Sequence, residues 1–289
     1  MFVDSHCHLS FPQLRDNISE IRAAMLEARV DRALCICTTL EEFSDVHALA
    51  LAYANFWCTA GVHPDNEGVR EPFLEDLVEL GAKTRVVAIG ETGLDYFRLN
   101  GRTLAQMEWQ RLRFRTHVRA ALVCDLPLVV HTREASNDTL EILREEGGRR
   151  AKGVFHCFTE GLEVARSALD LGFYVSFSGI LTFKNATELR EVARFVPLDR
   201  CLIETDSPYL APAPYRGKVN NPSYVVHVAQ QLAALKQMPL ERIAHATSEN
   251  FDRLFSRINA PLSARASINY CDAIDKLLNM LISLNNIDG

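Results

Sequence analysis

The stretch Phe2-Val3-Asp4-Ser5-His6-Cys7-His8 is an apolar, strand-like run that ends in two histidines. Four later runs rich in Val, Ile, Leu or Phe end in the same way, at a polar residue able to bind a divalent cation. These runs are VVAIGETGLDY (86–96) with Glu91, LVVHTR (128–133) with His131, GVFHCF (153–158) with His156, and CLIETDSP (201–208) with Asp206. Parallel strands whose C-terminal ends converge would bring all six side chains into one pocket. The pattern therefore predicts a metal site at one end of a parallel sheet.

Short apolar runs alternate along the chain with segments of helical period, which is typical of repeated βα units. We predict strands at 2–4, 33–37, 57–61, 86–90, 128–131, 153–156, 174–178 and 201–204. Helices are predicted at 19–28, 42–54, 102–124, 134–146, 162–171, 222–236 and 239–257. Eight strands with covering helices indicate an α/β protein with a single (β/α)8 TIM-like barrel over residues 1–257, and such barrels carry their sites at the C-terminal strand ends.

Residues 258–289 are expected to form a separate amphipathic helical tail. Apolar side chains recur there three or four residues apart, at Tyr270, Ile274, Leu277, Leu278, Leu281 and Leu284. The tail would either pack on the outside of the barrel or make a partner or dimer contact through residues 261–289.

Composition limits the classes of function. A net charge of −6 argues against bulk electrostatic attraction to nucleic acid, although a local basic pocket remains compatible with it. We see no signal-peptide pattern and no apolar run of the roughly 18 residues that a membrane span needs. Eight cysteines, mostly in or beside apolar runs, favour free thiols and a cytoplasmic location.

The residue types at the strand ends suggest individual roles. His6 and His8 share one face of a strand because side chains alternate, so they form a chelating pair while Cys7 points away. Glu91 is the natural carboxylate to span two cations, with a capping or surface glutamate as the alternative. His131 and His156 would supply nitrogen ligands to the second cation. Asp206 would bind the first cation or accept the proton of the attacking water.

Further side chains near the strand ends are candidates for substrate contact. His63 would touch substrate or an oxyanion, or else support a neighbour, and Asp95 would orient a ligand or an arginine. The basic candidates are Arg98, Arg133, Arg216 and Lys218, with solvated surface charge as the alternative. Phe97, Phe158 and Tyr209 would stack on an exposed base or simply pack. Four other histidines, His47, His117, His227 and His245, are expected to be structural.

Six blocks, in this order, resemble the TatD family of metal-dependent deoxyribonucleases, within the amidohydrolase-like superfamily. The blocks are Asp4-Ser5-His6-Cys7-His8, Gly61-Val62-His63-Pro64, Gly90-Glu91-Thr92-Gly93-Leu94-Asp95-Tyr96, His131-Thr132-Arg133, His156-Cys157-Phe158 and Glu204-Thr205-Asp206-Ser207-Pro208-Tyr209-Leu210. The resemblance implies a TIM-like barrel with a site for two divalent ions. Imidazole ligands favour Zn, whereas phosphoryl chemistry often uses Mg or Mn, so the sequence leaves the metal open. His6, His8, Glu91 and Asp206 would hold one ion, and Glu91, His131 and His156 the other.

The chain departs from the family pattern in one loop. Tyr215-Arg216-Gly217-Lys218-Val219-Asn220-Asn221-Pro222 resembles a segment that usually reads R-G-K-R-N-E-P. Here Val219 and Asn221 replace a basic and an acidic residue, which affects the expected substrate contacts of that loop. The tail after Arg257 lies beyond the usual family end.

The resemblance and the predicted site together favour a nuclease. Its expected substrate is DNA, single-stranded or at ends, cleaved in exonuclease fashion by a hydroxide that two cations activate. The first alternative keeps the metal site and changes the electrophile to an ester or amide carbon, as in an aminoacyl-tRNA deacylase. The second alternative is a non-catalytic, metal-bound protein that binds a partner through its tail.

Overall fold

Each strand of the sheet is hydrogen-bonded to the strand that follows it along the chain, and every pairing is parallel. The structure, a computed structural model, describes residues 1–259. The strands are β1 (Phe2–Cys7), β2 (Val30–Cys35), β3 (Phe56–Ala60), β4 (Val86–Asp95), β5 (Leu128–Arg133), β6 (Gly153–Phe155), β7 (Tyr174–Phe177) and β8 (Cys201–Ile203). A parallel bridge between Cys7 and Ser207 links the end of β1 to the segment after β8. The sheet is therefore a nearly closed barrel, and the predicted TIM-like fold is confirmed.

Helices lie between the strands. They are α1 (Pro12–Arg15), α2 (Ile18–Glu27), α3 (Phe43–Ala52), α4 (Leu74–Gly81), α5 (Glu108–Cys124), α6 (Ser136–Ile142), α7 (Leu162–Asp170), α8 (Thr187–Phe195), α9 (Val225–Lys236) and α10 (Leu240–Leu254). Among residues 1–259, no helix is both long enough and apolar enough to cross a lipid bilayer. The predicted tail covers residues 258–289, and all but its first two residues lie outside the described residues, so it stays a prediction.

Two strands differ from their predicted bounds in ways that matter for the site. β1 continues to Cys7 and β4 continues to Asp95, so His6 and Glu91 lie inside strands rather than just after them. The helix predicted at 134–146 ends as an α-helix at Ile142 and continues as a π-helical turn, Leu143–Gly147. The helices α1 and α8 were not among the predicted elements.

One cluster of the core fills the inside of the barrel. Each of the eight strands contributes at least one side chain, for example Val3, Leu34, Trp57, Val87, Val129, Val154, Tyr174 and Leu202. Phe251 and Phe255 belong to the same cluster, so α10 and the residue after it plug the barrel interior. A second, larger cluster lies between the strands and the surrounding helices. Burial on both faces explains why the strands read as continuous apolar runs.

Gly93 allows β4 and β5 to approach closely beside the site. It pairs with His131 in the register of the two strands and has a φ of +129°. A Cβ atom at this position would lie 1.9 Å from the carbonyl oxygen of His131. Only glycine therefore fits here without moving the backbone that carries His131.

Candidate metal centre

The seam between β1 and the segment after β8 places three predicted ligands side by side. The amide of Asp206 donates to the carbonyl of His6 at 2.9 Å, and the amide of His8 donates to the carbonyl of Ser207 at 2.8 Å. His6 and His8 point to the same side of the strand, as predicted, with their Nε2 atoms 3.3 Å apart. Cys7 is fully buried between them and its thiol donates to the carbonyl of Leu34, which fits the prediction that it points away.

Four atoms from this seam and from β4 form the first candidate ligand group. His6 Nε2 lies 3.3 Å from Glu91 Oε2 and 3.5 Å from Asp206 Oδ1. His8 Nε2 lies 3.9 Å and 3.4 Å from the same two oxygens. Ligands held about 2.1 Å from a tetrahedral ion lie about 3.4 Å from one another, so this spacing fits one divalent cation.

The other oxygen of Glu91 faces a second group of histidines. Glu91 Oε1 lies 2.7 Å from His156 Nε2, 3.3 Å from His131 Nδ1 and 3.3 Å from His63 Nε2. Neither ring nitrogen of His156 makes a hydrogen bond within the described residues, although both are buried. Buried ring nitrogens that make no hydrogen bond carry a desolvation cost, and a cation at this point would offset it. Glu91 thus turns one oxygen toward each candidate group.

Two hydrogen bonds distinguish His131 from His63. His131 Nε2 lies 3.0 Å from Asp95 Oδ2 and donates its proton there, which leaves the Nδ1 lone pair facing Glu91. His63 Nδ1 instead accepts the amide N–H of Asp65 at 3.0 Å. In the neutral ring the proton is then on Nε2, so His63 presents an N–H donor toward Glu91 rather than a lone pair. The spacing alone would also allow a cation among His63, Glu91 and His131.

Electrostatics keep the carboxylates of this cluster ionised. Burial on its own would raise the pKa of Glu91, but the nearby histidines, His156 first among them, hold that pKa well below its usual range. Burial also opposes ionisation of Asp206, yet the hydrogen bond from His8 lowers its pKa. Burial would lower the pKa of His156, whereas Glu91 raises it well above its usual value. The negative field of the cluster draws positive charge, which a divalent cation would supply.

Two buried carboxyl groups belong to the site although neither was among the predicted site residues. Glu204 Oε1 lies 3.4 Å from His156 Nδ1 and accepts the amide of Cys157 at 2.7 Å. Asp4 accepts the amide and the hydroxyl of Thr205 at 2.9 Å and 2.5 Å, and burial raises the pKa of Asp4 to about 8. Glu204 directly follows β8 within a quoted block, so its place at a strand end was the available signal.

The metal centre lies on the floor of an open cleft of about 840 Å³. Arg98 and Arg133 line it, and the Arg133 guanidinium lies 3.5 Å above the centre of the Phe97 ring. Arg216 and Lys218 are not among the lining residues. Arg216 instead lies over the ring of Phe183, and Lys218 over that of Tyr215. Substrate contact by Arg216 and Lys218 therefore stays a prediction without support from this geometry.

The aromatic candidates differ in exposure. Phe97 and Tyr209 are about half exposed, and Tyr209 lines the cleft beside Phe11. Phe158 is only 2 % exposed and packs in the core, so the suggestion that it stacks on a base is wrong. The four histidines predicted to be structural, His47, His117, His227 and His245, lie outside the ligand groups.

Comparison with known proteins identifies the family. The TatD-related DNase family model matches residues 3–256. The chain is 46 % identical over 257 residues to YcfH of Escherichia coli K12, described as an uncharacterized metal-dependent hydrolase, covering 88 % of this chain and 95 % of YcfH. It is 30 % identical over 258 residues to the 3′-5′ ssDNA/RNA exonuclease TatD of Shigella flexneri, covering 87 % and 98 %.

A solved structure agrees with this assignment. YjjV, a TatD homologue from Escherichia coli K12, superposes with a TM-score of 0.80 at 28 % identity, covering 90 % of this chain and 98 % of YjjV. The fold and the His/Glu/Asp centre define a metal-dependent hydrolase. This chain belongs to the TatD-related DNase family.

Helix α5 contacts the main chain of the segment after β3, next to the candidate centre. His117, fully buried on this helix, accepts the amide N–H of Val62 at Nε2 over 2.9 Å and donates from Nδ1 to the carbonyl of Arg113. It can accept from Val62 only while neutral. Burial supports this state, since it lowers the pKa of His117 to about 4.

We predict that His117 makes the fold sensitive to acid. Because its pKa in the folded state is lower than in the unfolded state, the unfolded chain binds the extra proton, and stability is lost as pH falls from about 6.5 toward 4. Between pH 7 and pH 4.5 this costs about 2 kcal/mol. Urea unfolding at both pH values should show the wild type losing that much more than His117→Gln. Equal losses in the two proteins would contradict the assignment.

Proposed function

We propose that this hydrolase is a two-cation phosphodiesterase that removes nucleotides from the ends of single-stranded DNA. The division of the Glu91 oxygens between two ligand groups carries the proposal, because two-metal hydrolases place their ions about 3.5–4 Å apart and need a group that spans them. His6, His8 and Asp206 would complete one ion's ligands, and His131 and His156 the other's. The Shigella relative named as a 3′-5′ ssDNA/RNA exonuclease supports the choice of substrate.

The protein groups around the centre have distinct tasks in such a reaction. When bound, the two cations would lower the pKa of a water molecule and offset the charge that develops on a phosphoryl group. Asp206 lines the cleft with its side chain 16 % exposed, and it would accept the water's proton and return it to the leaving oxygen. His63, with its proton on Nε2, would donate a hydrogen bond to a phosphoryl oxygen.

The walls of the cleft suit a nucleotide chain. Arg98 and Arg133 lie on one side of the centre and supply positive charge to an otherwise acidic protein. Phe11 and Tyr209 lie beside His8 on another side, with Phe11 stacked on the His8 ring at 4.8 Å. Aromatic faces of this kind accept any base, which suits a sequence-tolerant nuclease. A cytoplasmic location fits the seven described cysteines, none of which forms a disulfide.

Glu91→Gln should abolish hydrolysis while preserving the fold, because the amide retains one oxygen and loses the charge that two cations share. The assay is shortening of 3′- and 5′-labelled single-stranded DNA by metal-stripped protein resupplied with Mg, Mn or Zn, together with a metal count for each variant. His245→Gln, which changes an exposed histidine outside the site, is the matched control and should behave as the wild type. Intact DNA with every metal would move the proposal to an ester or amide substrate at the same centre.

Asp206→Asn should separate proton transfer from metal binding. The amide keeps an oxygen near His6 and His8, so we expect most of the bound metal to remain while turnover falls by about 10²–10⁴-fold, the typical contribution of acid–base catalysis. Single-turnover cleavage rates and metal analysis on the same preparation measure both quantities. Normal turnover would remove Asp206 from the mechanism.

A further inference from the structure

Helix α5 carries three buried polar side chains that no ligand group uses. Gln110, Arg113 and His117 are spaced three and four residues apart, so they share one face of the helix. Each binds main-chain groups of the strand ends rather than the centre itself. Gln110 accepts the amide of Asp95 at 2.9 Å, and His117 accepts that of Val62. Arg113 makes the most extensive contacts of the three.

The guanidinium of Arg113 fastens the turn that follows β3. One nitrogen, Nη1, donates to the carbonyls of His63 at 2.7 Å and Asn66 at 2.9 Å. The other side of the group pairs with the Glu71 carboxylate, with Nε 2.8 Å from Oε2. Arg113 is 4 % exposed, so this cation lies almost wholly within the protein. A buried charge directed at two carbonyls of one four-residue turn fixes the position of that turn.

The turn 63–66 determines which ring nitrogen of His63 carries the proton. The amide of Asp65, in the middle of the turn, donates to His63 Nδ1 at 3.0 Å, and His63 Nε2 lies 3.3 Å from Glu91 Oε1. If the turn shifted, Nδ1 would lose its donor and the ring could take the other tautomer. His63 Nε2 would then offer a lone pair instead of an N–H.

We propose that Arg113 is a positioning residue that holds the turn 63–66 so that His63 presents an Nε2–H donor to the reacting phosphoryl group. Arg113 itself touches neither a candidate ligand side chain nor the cleft. Its effect on the reaction passes through His63 and depends on the forked shape of the guanidinium, which a lysine ammonium lacks. The kinetic part of this proposal rests on the proposed hydrolase function, whereas the tautomer of His63 can be measured without any substrate.

The test compares Arg113→Lys with Glu71→Gln in metal-loaded protein. Arg113→Lys keeps the buried positive charge, but a lysine ammonium cannot bind the two carbonyls and the Glu71 carboxylate at the same time. Glu71→Gln weakens the outer partner of Arg113 and leaves the two carbonyl contacts in place, so it controls for loss of stability. The measurements are nitrogen NMR of the His63 ring, assigned with His63→Ala, and kcat, KM and metal content with single-stranded DNA.

We expect the wild-type His63 ring to show an unprotonated Nδ1 and a protonated Nε2, and Arg113→Lys to show a mixture of tautomers. The value of kcat should fall about tenfold to a hundredfold in Arg113→Lys, with KM and metal content unchanged, whereas Glu71→Gln should keep both the tautomer and kcat. In a His63→Ala background, Arg113→Lys should change kcat by less than about twofold.

Three results would overturn the proposal. The first is a wild-type His63 ring with its proton on Nδ1, which decides the matter even if Arg113→Lys fails to fold. The second is an unchanged tautomer in Arg113→Lys. The third is an undiminished effect of Arg113→Lys when His63 is absent. Failure to find hydrolysis of any nucleic acid would instead refute the proposed function and leave the tautomer result to decide the role of Arg113.

Discussion

The rest of the site depends on one buried carboxylate whose two oxygens face in different directions. Glu91 is 2 % exposed, and its oxygens lie within 2.7–3.9 Å of five histidine nitrogens. An ionised carboxylate buried to this extent needs compensating positive charge, since desolvation alone would neutralise it. His156, whose pKa Glu91 raises well above its usual value, supplies positive charge here, and a pair of divalent cations would supply it in the proposed reaction.

The barrel meets this requirement through three local features. The extension of β4 carries Glu91 inside the strand, and the glycine at position 93 lets β5 bring His131 close to it. The seam at Ser207 closes β1 onto the end of β8 and sets Asp206 beside the two N-terminal histidines. Helix α5 then fixes the main chain behind the site. The geometry of the candidate centre thus depends on main-chain contacts behind the candidate ligands.

Much of this arrangement could be predicted because it depends on local sequence patterns. Side-chain alternation placed His6 and His8 together, and the repeated position of polar residues at strand ends brought six candidates to one point. The burial and tertiary contacts of individual side chains could not be predicted in this way. Phe158 follows a strand like a cleft residue yet packs in the core, and Arg216 finds an aromatic partner in Phe183, far away in sequence.

The roles of Glu204 and Arg113 could not be predicted from the sequence, because their partners lie far away along the chain. Glu204 and its partner Cys157 are 47 residues apart along the chain, and Arg113 and His63 are 50 residues apart. No period or spacing encodes such a contact. The length of β4 was also underestimated, because glycines at positions 90 and 93 normally weaken a strand. Here close packing against Val129 and His131 needs them.

Anomalous X-ray diffraction from metal-loaded crystals tests the central claim most directly. Two peaks about 3.5–4 Å apart are expected, one on each side of the Glu91 carboxylate. The first should lie among His6, His8 and Asp206, and the second should contact His131 and His156 but not His63. A single peak, or a second ion bound by His63 Nε2, would contradict the division of roles described for this centre.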